Sequence, residues 1–309
     1  MRFRPSSPFL FLSLTICISA VVILCLMIGM GSYSDELFHL KQINLFRNFQ
    51  WEITDSLTVI PTYHLFIAMI SQLWDSGTLQ AIRPVNVALG LLSVLAFYFT
   101  AKRIHGEGDS LRTWMYYLLP ISFPYFFFVY TDTFSMLLFL ISIYLFLSDR
   151  KIFGSSIASL NIFVRQTNLL WVPLFFIIAM KNKQLNLTNV LTVLKKIWPI
   201  TATVVVLGVY MLIHGGVAIK DAGSHRVGLY SGNIYFFFFM YAVLFPIFNI
   251  DLLTKYVKSH RTKKWSSSVL VLCLLVISVM VVYFTFRADH HYNKVAGFIR
   301  NDLLMFFSS

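Results

Sequence analysis

The chain has 309 residues, 58% of them apolar, 17% aromatic and only 12% charged, a balance that excludes a soluble globular domain. A mean hydropathy of +0.73 and 31 phenylalanines spread along the whole length predict many membrane spans rather than one anchor on a soluble domain. The formal charge of +12 sits in short clusters between apolar runs, a pattern that sets membrane orientation and argues against a nucleic-acid partner.

At the N-terminus Arg2 and Arg4 precede an apolar run over 9–31. It is longer than the roughly 7–15-residue core of a signal peptide and lacks a small-x-small cleavage site, so it is read as an uncleaved first span. Further spans are predicted at about residues 82–101, 113–129, 133–148, 152–164, 168–180, 197–214, 233–250 and 268–286, those at 152–164 and 168–180 being short for a full crossing. Segment 60–75 is different in kind. Tyr63, Phe66, Ile67, Ile70 and Trp74 share one helical stripe, and His64, Ala68, Ser71, Gln72 and Asp75 the other, as in a helix lying in the interface plane.

With the N-terminus cytoplasmic and nine crossings, the cytoplasmic loops are 102–112, 149–151, 181–196 and 251–266. Together with the N-terminus they hold 16 of the 25 Lys and Arg but 4 of the 13 acids, so the positive-inside rule is obeyed. Counting 60–75 as a span would invert the later loops. The expected fold is therefore all-α, a polytopic transmembrane protein of one domain over 1–309. Its first outer loop, 32–81, carries the interfacial helix. Cys17, Cys25 and Cys273 lie inside apolar runs and are read as small buried hydrophobes, without a disulfide. The sequon Asn186-Leu187-Thr188 falls in a cytoplasmic loop and is read as a chance match.

The remaining ionisable residues gather on the opposite face. Tyr33-Ser34-Asp35-Glu36-Leu37-Phe38-His39 follows the first span, and its adjacent carboxylates serve either as a general base toward a sugar hydroxyl or as solvated charges at a helix end, with Ser34 as a cap. Asp132 follows the aromatic run 123–130 at a tight outer turn, which suits a sugar or isoprenoid site and an interfacial aromatic belt equally. Arg165 and Gln166 stand between two short apolar runs. An arginine there either clamps a phosphate through its planar fork or snorkels to the headgroups. The loop after His214 adds Lys220, Asp221, His225 and Arg226, and a last outer segment adds Asp289, His290 and His291. No spacing among them matches a zinc motif, so anion or sugar contacts are favoured over a metal.

In order, these segments resemble the DIE2/ALG10 family of dolichyl-phosphate-glucose alpha-1,2-glucosyltransferases, which have a GT-C fold. The resemblance is carried by Tyr33 to His39, Tyr130-Thr131-Asp132, Phe163-Val164-Arg165-Gln166-Thr167-Asn168, the loop from His214-Gly215-Gly216 to Ser224-His225, and Ala288-Asp289-His290-His291-Tyr292. It implies an inverting enzyme of the endoplasmic reticulum membrane, multi-pass, with a lumenal active site, or of the plasma membrane in a prokaryotic relative. Such an enzyme adds the terminal alpha-1,2-glucose to the lipid-linked oligosaccharide of N-glycosylation, from a dolichyl-phosphate-glucose donor and with no cofactor assigned. Asp35, or Glu36 beside it, is then the base.

Arg165, Gln166, His225, Arg226, Asp132, Asp289, His290 and His291 are candidates for contacts with the donor phosphate and sugar. Segment 60–75 is similar to the interfacial helices of the first GT-C outer loop. Two departures stand out. The chain ends at Ser309, where family members run on, so a shorter relative, an isoform or a fragment is expected. The motif at Asp289 is also altered. The alternatives are a non-catalytic membrane partner such as a channel modulator, or a polyprenyl-lipid transporter. The transporter is less favoured, because no internal repeat is found and the charges gather at one face.

Overall fold

The computed structural model describes residues 8–29, 31–33, 35–74, 76–106, 110–181, 184–214 and 219, all within the first of two compact units, residues 1–227. Every regular element among them is helical. In chain order these are α1 (Pro8–Gly29), α2 (Glu36–Arg47), α3 (Thr62–Ser71), α4 (Leu79–His105), α5 (Ser110–Tyr117), α6 (Thr131–Leu147), α7 (Lys151–Val164), α8 (Val172–Met180), α9 (Leu187–Lys196) and α10 (Trp198–His214), with 3-10 turns at Gln72–Trp74, Pro124–Phe126 and Gln166–Trp171.

Among the described residues one helix, α4, is by itself long and apolar enough to cross a membrane. A second crossing arises if α9 and α10, bent by 88° at their junction, are taken as one. Four shorter apolar helices lie at Ser13–Cys25, Thr131–Leu147, Lys151–Val164 and Gln166–Met180. The runs predicted at 233–250 and 268–286 lie outside the described residues.

Helix α4 begins where the Thr78 hydroxyl accepts a bond from the backbone N–H of Ala81, and it ends at Gly106, whose φ of 81° only glycine adopts without strain. It packs along α6, and α6 turns back onto α7. That second contact is close: a Cβ added at Gly154 would stand 2.8 Å from the Phe146 ring. Helices α2 and α3, from the loop before α4, pack on the same layer through Ile43, Tyr63, Ile67, Ile82, Phe134 and Leu137.

The apolar run 113–129 does not form one helix. Helix α5 stops at Tyr117, and turns and a short 3-10 segment carry the chain to Tyr130. Pro120 and Pro124 lack the N–H a helix interior needs and push the preceding residue toward extended backbone, so the run folds as a turn in spite of its hydropathy.

Two helices bury polar side chains while leaving large apolar ones exposed. Helix α3 buries Tyr63, His64, Ile67, Ala68 and Ser71 while Met69, Leu73 and Trp74, on it and in the turn after it, are exposed. The packed face thus takes residues from both stripes, Tyr63 and Ile67 from the apolar one and His64, Ala68 and Ser71 from the polar one. On α1, Thr15 and Ser19 are buried, with Ser19 Oγ 2.8 Å from the Tyr117 hydroxyl, whereas Leu14, Val21 and Leu24 face outward. Cys17 and Cys25 are likewise exposed rather than buried, because they stand on that outward face. Asn186, the sequon asparagine, caps α9 by accepting the N–H of Asn189 at 2.8 Å.

Candidate active site

Asp35 and Glu36 are adjacent in the chain but opposite in circumstance. Asp35 takes the N-cap position of α2, is exposed, and its carboxylate makes no cap hydrogen bond. Its backbone N–H instead donates to the Tyr130 hydroxyl at 2.9 Å. Glu36 is fully buried.

Four donors surround the Glu36 carboxylate. Arg83 Nη2 lies 2.6 Å from Oε2 and Arg83 Nε 3.2 Å from Oε1, while the backbone N–H groups of Tyr33 and Val129 donate at 2.8 and 2.9 Å. Arg83 also donates to the Gly31 carbonyl at 2.8 Å and lies 5.6 Å from the centre of the Phe128 ring, on which Tyr33 stacks. Buried charges persist only when paired and hydrogen-bonded. Glu36 and Arg83 meet that requirement together, and in doing so they tie the start of α2 to α4 and to the turn before α6.

Asn86, one turn after Arg83 on α4, holds the same turn. Its amide donates to the carbonyls of Tyr125 and Phe128 and its oxygen accepts from the Tyr63 hydroxyl at 3.1 Å. The extended turn therefore has fixed partners for carbonyls that no helix satisfies.

Asp132 stands in the first turn of α6, where a carboxylate suits the helix dipole, and it pairs with Arg165. Arg165 is extended, at φ −144° and ψ 116°, just past the end of α7. Asn168 anchors the segment after it through bonds to Ser135 Oγ and to both oxygens of Asn161, at 2.8, 3.0 and 3.0 Å. Arg165 donates from Nη1 to Asp132, and its Nε and Nη2 have no partner among the described residues. Both side chains line a cavity of about 430 Å³ walled by Tyr116, Tyr125, Phe126 and Trp171.

Gln166 is buried and donates at 3.4 Å to the carbonyl of Thr58, which also accepts the N–H of Ile219 at 3.3 Å. The first long loop, the α7–α8 turn and the segment after α10 thus meet at one carbonyl. His225, Arg226, Asp289, His290 and His291 lie outside the described residues. No three His, Cys, Asp or Glu side chains among the described residues gather as a metal-ligand set.

His39, one turn beyond Asp35, lies 2.8 Å through Nδ1 from Nε2 of His64. Burial lowers its pKa to about 4 against the opposing pull of Asp35 and Asp132, so the ring is neutral at physiological pH. His64 is also held well below the ordinary histidine value, first by burial and then by His39. Arg83, Asn86 and His64 were not foreseen as site residues. Arg83 and Asn86 had a signal: a cation and an amide three residues apart inside an apolar run imply a buried polar partner.

A profile of the DIE2/ALG10 family matches residues 30–187, from the segment before Asp35 to just beyond Arg165 and Gln166. Three yeast proteins named Dol-P-Glc:Glc(2)Man(9)GlcNAc(2)-PP-Dol alpha-1,2-glucosyltransferase are similar to the chain. That of Yarrowia lipolytica is 22% identical over 239 residues, covering 66% of this chain and 46% of the relative. That of Debaryomyces hansenii is 20% identical, covering 73% and 56%, and that of Candida albicans 19% identical, covering 81% and 63%. The chain thus spans about half to three-fifths of the length of the curated relatives it matches. No solved structure matches it. With the profile covering more than half of its length, and Asp35, Arg83, Asp132 and Arg165 all inside the matched region, the chain belongs to the DIE2/ALG10 family.

Proposed function

We propose that the protein is a polytopic membrane glucosyltransferase of GT-C type. It transfers glucose with inversion from dolichyl-phosphate-glucose to the terminal position of a lipid-linked oligosaccharide. It resides in the endoplasmic reticulum membrane, with the site on the lumenal face. The observation that carries the reading is the exposed Asp35 carboxylate, without a hydrogen-bond partner among the described residues while its backbone is fixed by Tyr130, in a chain of this family. The outward exposure of Leu14 and Val21 on α1, and of Met69 and Leu73 on α3 and the turn after it, supports a hydrocarbon surrounding, because only there does exposing them carry no hydrophobic penalty.

The reaction is a single in-line displacement. The acceptor hydroxyl oxygen bonds to the anomeric carbon while the bond from that carbon to the phosphate oxygen breaks. The acceptor proton passes to Asp35, and dolichyl phosphate leaves with the electron pair. Arg165, oriented by Asp132, has Nε and Nη2 available to meet the charge that develops on that phosphate. The aromatic walls of the neighbouring cavity suit the apolar faces of a sugar. Glu36, with four donors on its two oxygens, serves as the brace that holds Asp35 at the mouth of the site rather than as the base.

The test is an assay of the purified chain with dolichyl-phosphate-glucose and a diglucosylated lipid-linked acceptor, read by mass. Gain of one hexose is the expected result. An unchanged acceptor, with the chain folded and both substrates present, would overturn the reading in favour of a non-catalytic partner.

A further inference from the structure

His39 and His64 form a pair that the displacement above does not use. Their rings stack with centroids 5.1 Å apart, and His64 is fully buried with its Nδ1 lacking any hydrogen-bond partner among the described residues. That orphan decides the tautomer. A buried N–H without an acceptor is rarer and costlier than a buried lone pair without a donor, so His64 carries its proton on Nε2. This proton is donated to His39 Nδ1, and His39 in turn carries its own on Nε2. His39 Nε2 has no partner among the described residues, and it is not among the atoms sealed from solvent.

The place of this N–H follows from its neighbours. His39 lies one helical turn from Asp35 and edge-on to Tyr130, with ring centroids 5.2 Å apart. Asp35 and Glu36 on α2, His64 on α3, Asp132 on α6 and Arg165 after α7 all lie close enough for their charge or polarity to act on it. In an in-line displacement the base and the leaving phosphate stand on opposite sides of the sugar ring. His39 lies within electrostatic reach of both Asp35 and Arg165, and with the phosphate left to the arginine the sugar ring is the group it meets.

Resting on the transferase reading, we infer that His39, its proton fixed on Nε2 by His64, recognises the donor sugar by donating a hydrogen bond to one hydroxyl of the glucosyl group. His39 is a specificity residue in this scheme and His64 a positioning residue that acts through it. A neutral N–H suits a hydroxyl, and loss of one such bond is worth about tenfold in affinity.

The experiment uses the full chain in detergent and titrates a short-chain polyprenyl-phosphate-glucose and the same polyprenyl phosphate without sugar. The wild type is expected to prefer the glucosylated ligand. His39→Ala and His64→Phe are expected to reduce that preference about tenfold with binding of the sugar-free phosphate unchanged, and His39→Gln, which keeps a donor, to retain most of it. Among donors each lacking one hydroxyl, one should bind the wild type about tenfold more weakly and bind His39→Ala no worse than it binds the wild type. Equal loss for both phosphates, equal loss for every deoxy donor, or absence of any preference in the wild type would overturn the inference. Sugar preference without transfer in a parallel assay would overturn the transferase reading alone.

Discussion

Glu36 and Arg83 face each other at 2.6 Å with both side chains fully shielded from solvent, although 47 residues separate them in the chain. Removing one partner strands the other charge. Glu36→Ala and Arg83→Ala are each expected to destabilise the protein by about 3–5 kcal/mol, while replacing both together with apolar residues of similar volume restores much of the loss. Thermal unfolding in detergent checks this, and a double variant no better than the singles would contradict the pairing.

Among the described residues Asp35 makes no side-chain hydrogen bond, so Asp35→Asn is expected to leave Tm unchanged while lowering transfer by about 100-fold or more. Glucose transfer at saturating donor, read beside the melting curve, checks both parts. Full activity of the variant would remove Asp35 from the mechanism.

Arg165→Lys keeps the charge but loses the planar fork, one arm of which is held by Asp132. A fall in kcat of about 100-fold, larger than the change in donor KM, is expected if the arginine meets charge that develops only as the phosphate leaves. Asp132→Asn should show a smaller loss, because it disturbs only the orientation of the guanidinium.

Asn86→Leu leaves the carbonyls of Tyr125 and Phe128 without their amide donor. Both carbonyls keep a second donor, from the Thr133 hydroxyl and the Tyr130 N–H, so the group left unsatisfied is the buried Tyr63 hydroxyl, which loses its acceptor. The expected cost is about 1–3 kcal/mol, and hydrogen exchange at residues 125–130 should rise more than in α6.

His39 is neutral in the folded state because burial lowers its pKa from 6.5 to about 4. In the unfolded chain it takes up a proton near pH 6.5, so the unfolded state binds more protons between those values. Its contribution to stability is complete above pH 6.5 and is lost as pH falls from 6.5 toward 4. A Tm profile over that window should flatten in His39→Gln, apart from the share due to His64, which shifts in the same direction.

The helical class was legible from the apolar runs, since α1, α4, α6 and α7 stand close to where hydropathy puts them. Asp35 and Asp132 were legible as chain-local features, each at the start of a helix. The contrast between an exposed Asp35 and a buried Glu36 was not, because it depends on Arg83 and on the N–H of Val129, 93 residues away. Helix α5 was overcounted because hydropathy outweighed two prolines that mark a turn. The buried polar members of α3 were missed for a related reason. His64 and Ser71 look like solvent-facing residues until His39 and the Ala68 carbonyl supply their partners.

The long reach of these contacts also bears on the order of assembly. Asp35 and the first helix leave the ribosome early, yet the donors that fix Glu36 come from residues 83 and 129, and the amide that meets Thr58 from residue 166. The proposed base therefore has no defined geometry during synthesis of the first hundred or so residues. Chain closure of this kind makes folding slow. A nascent chain arrested before Val129 should thus be inserted but inert, its Glu36 still lacking the Val129 N–H and its Asp35 the Tyr130 hydroxyl.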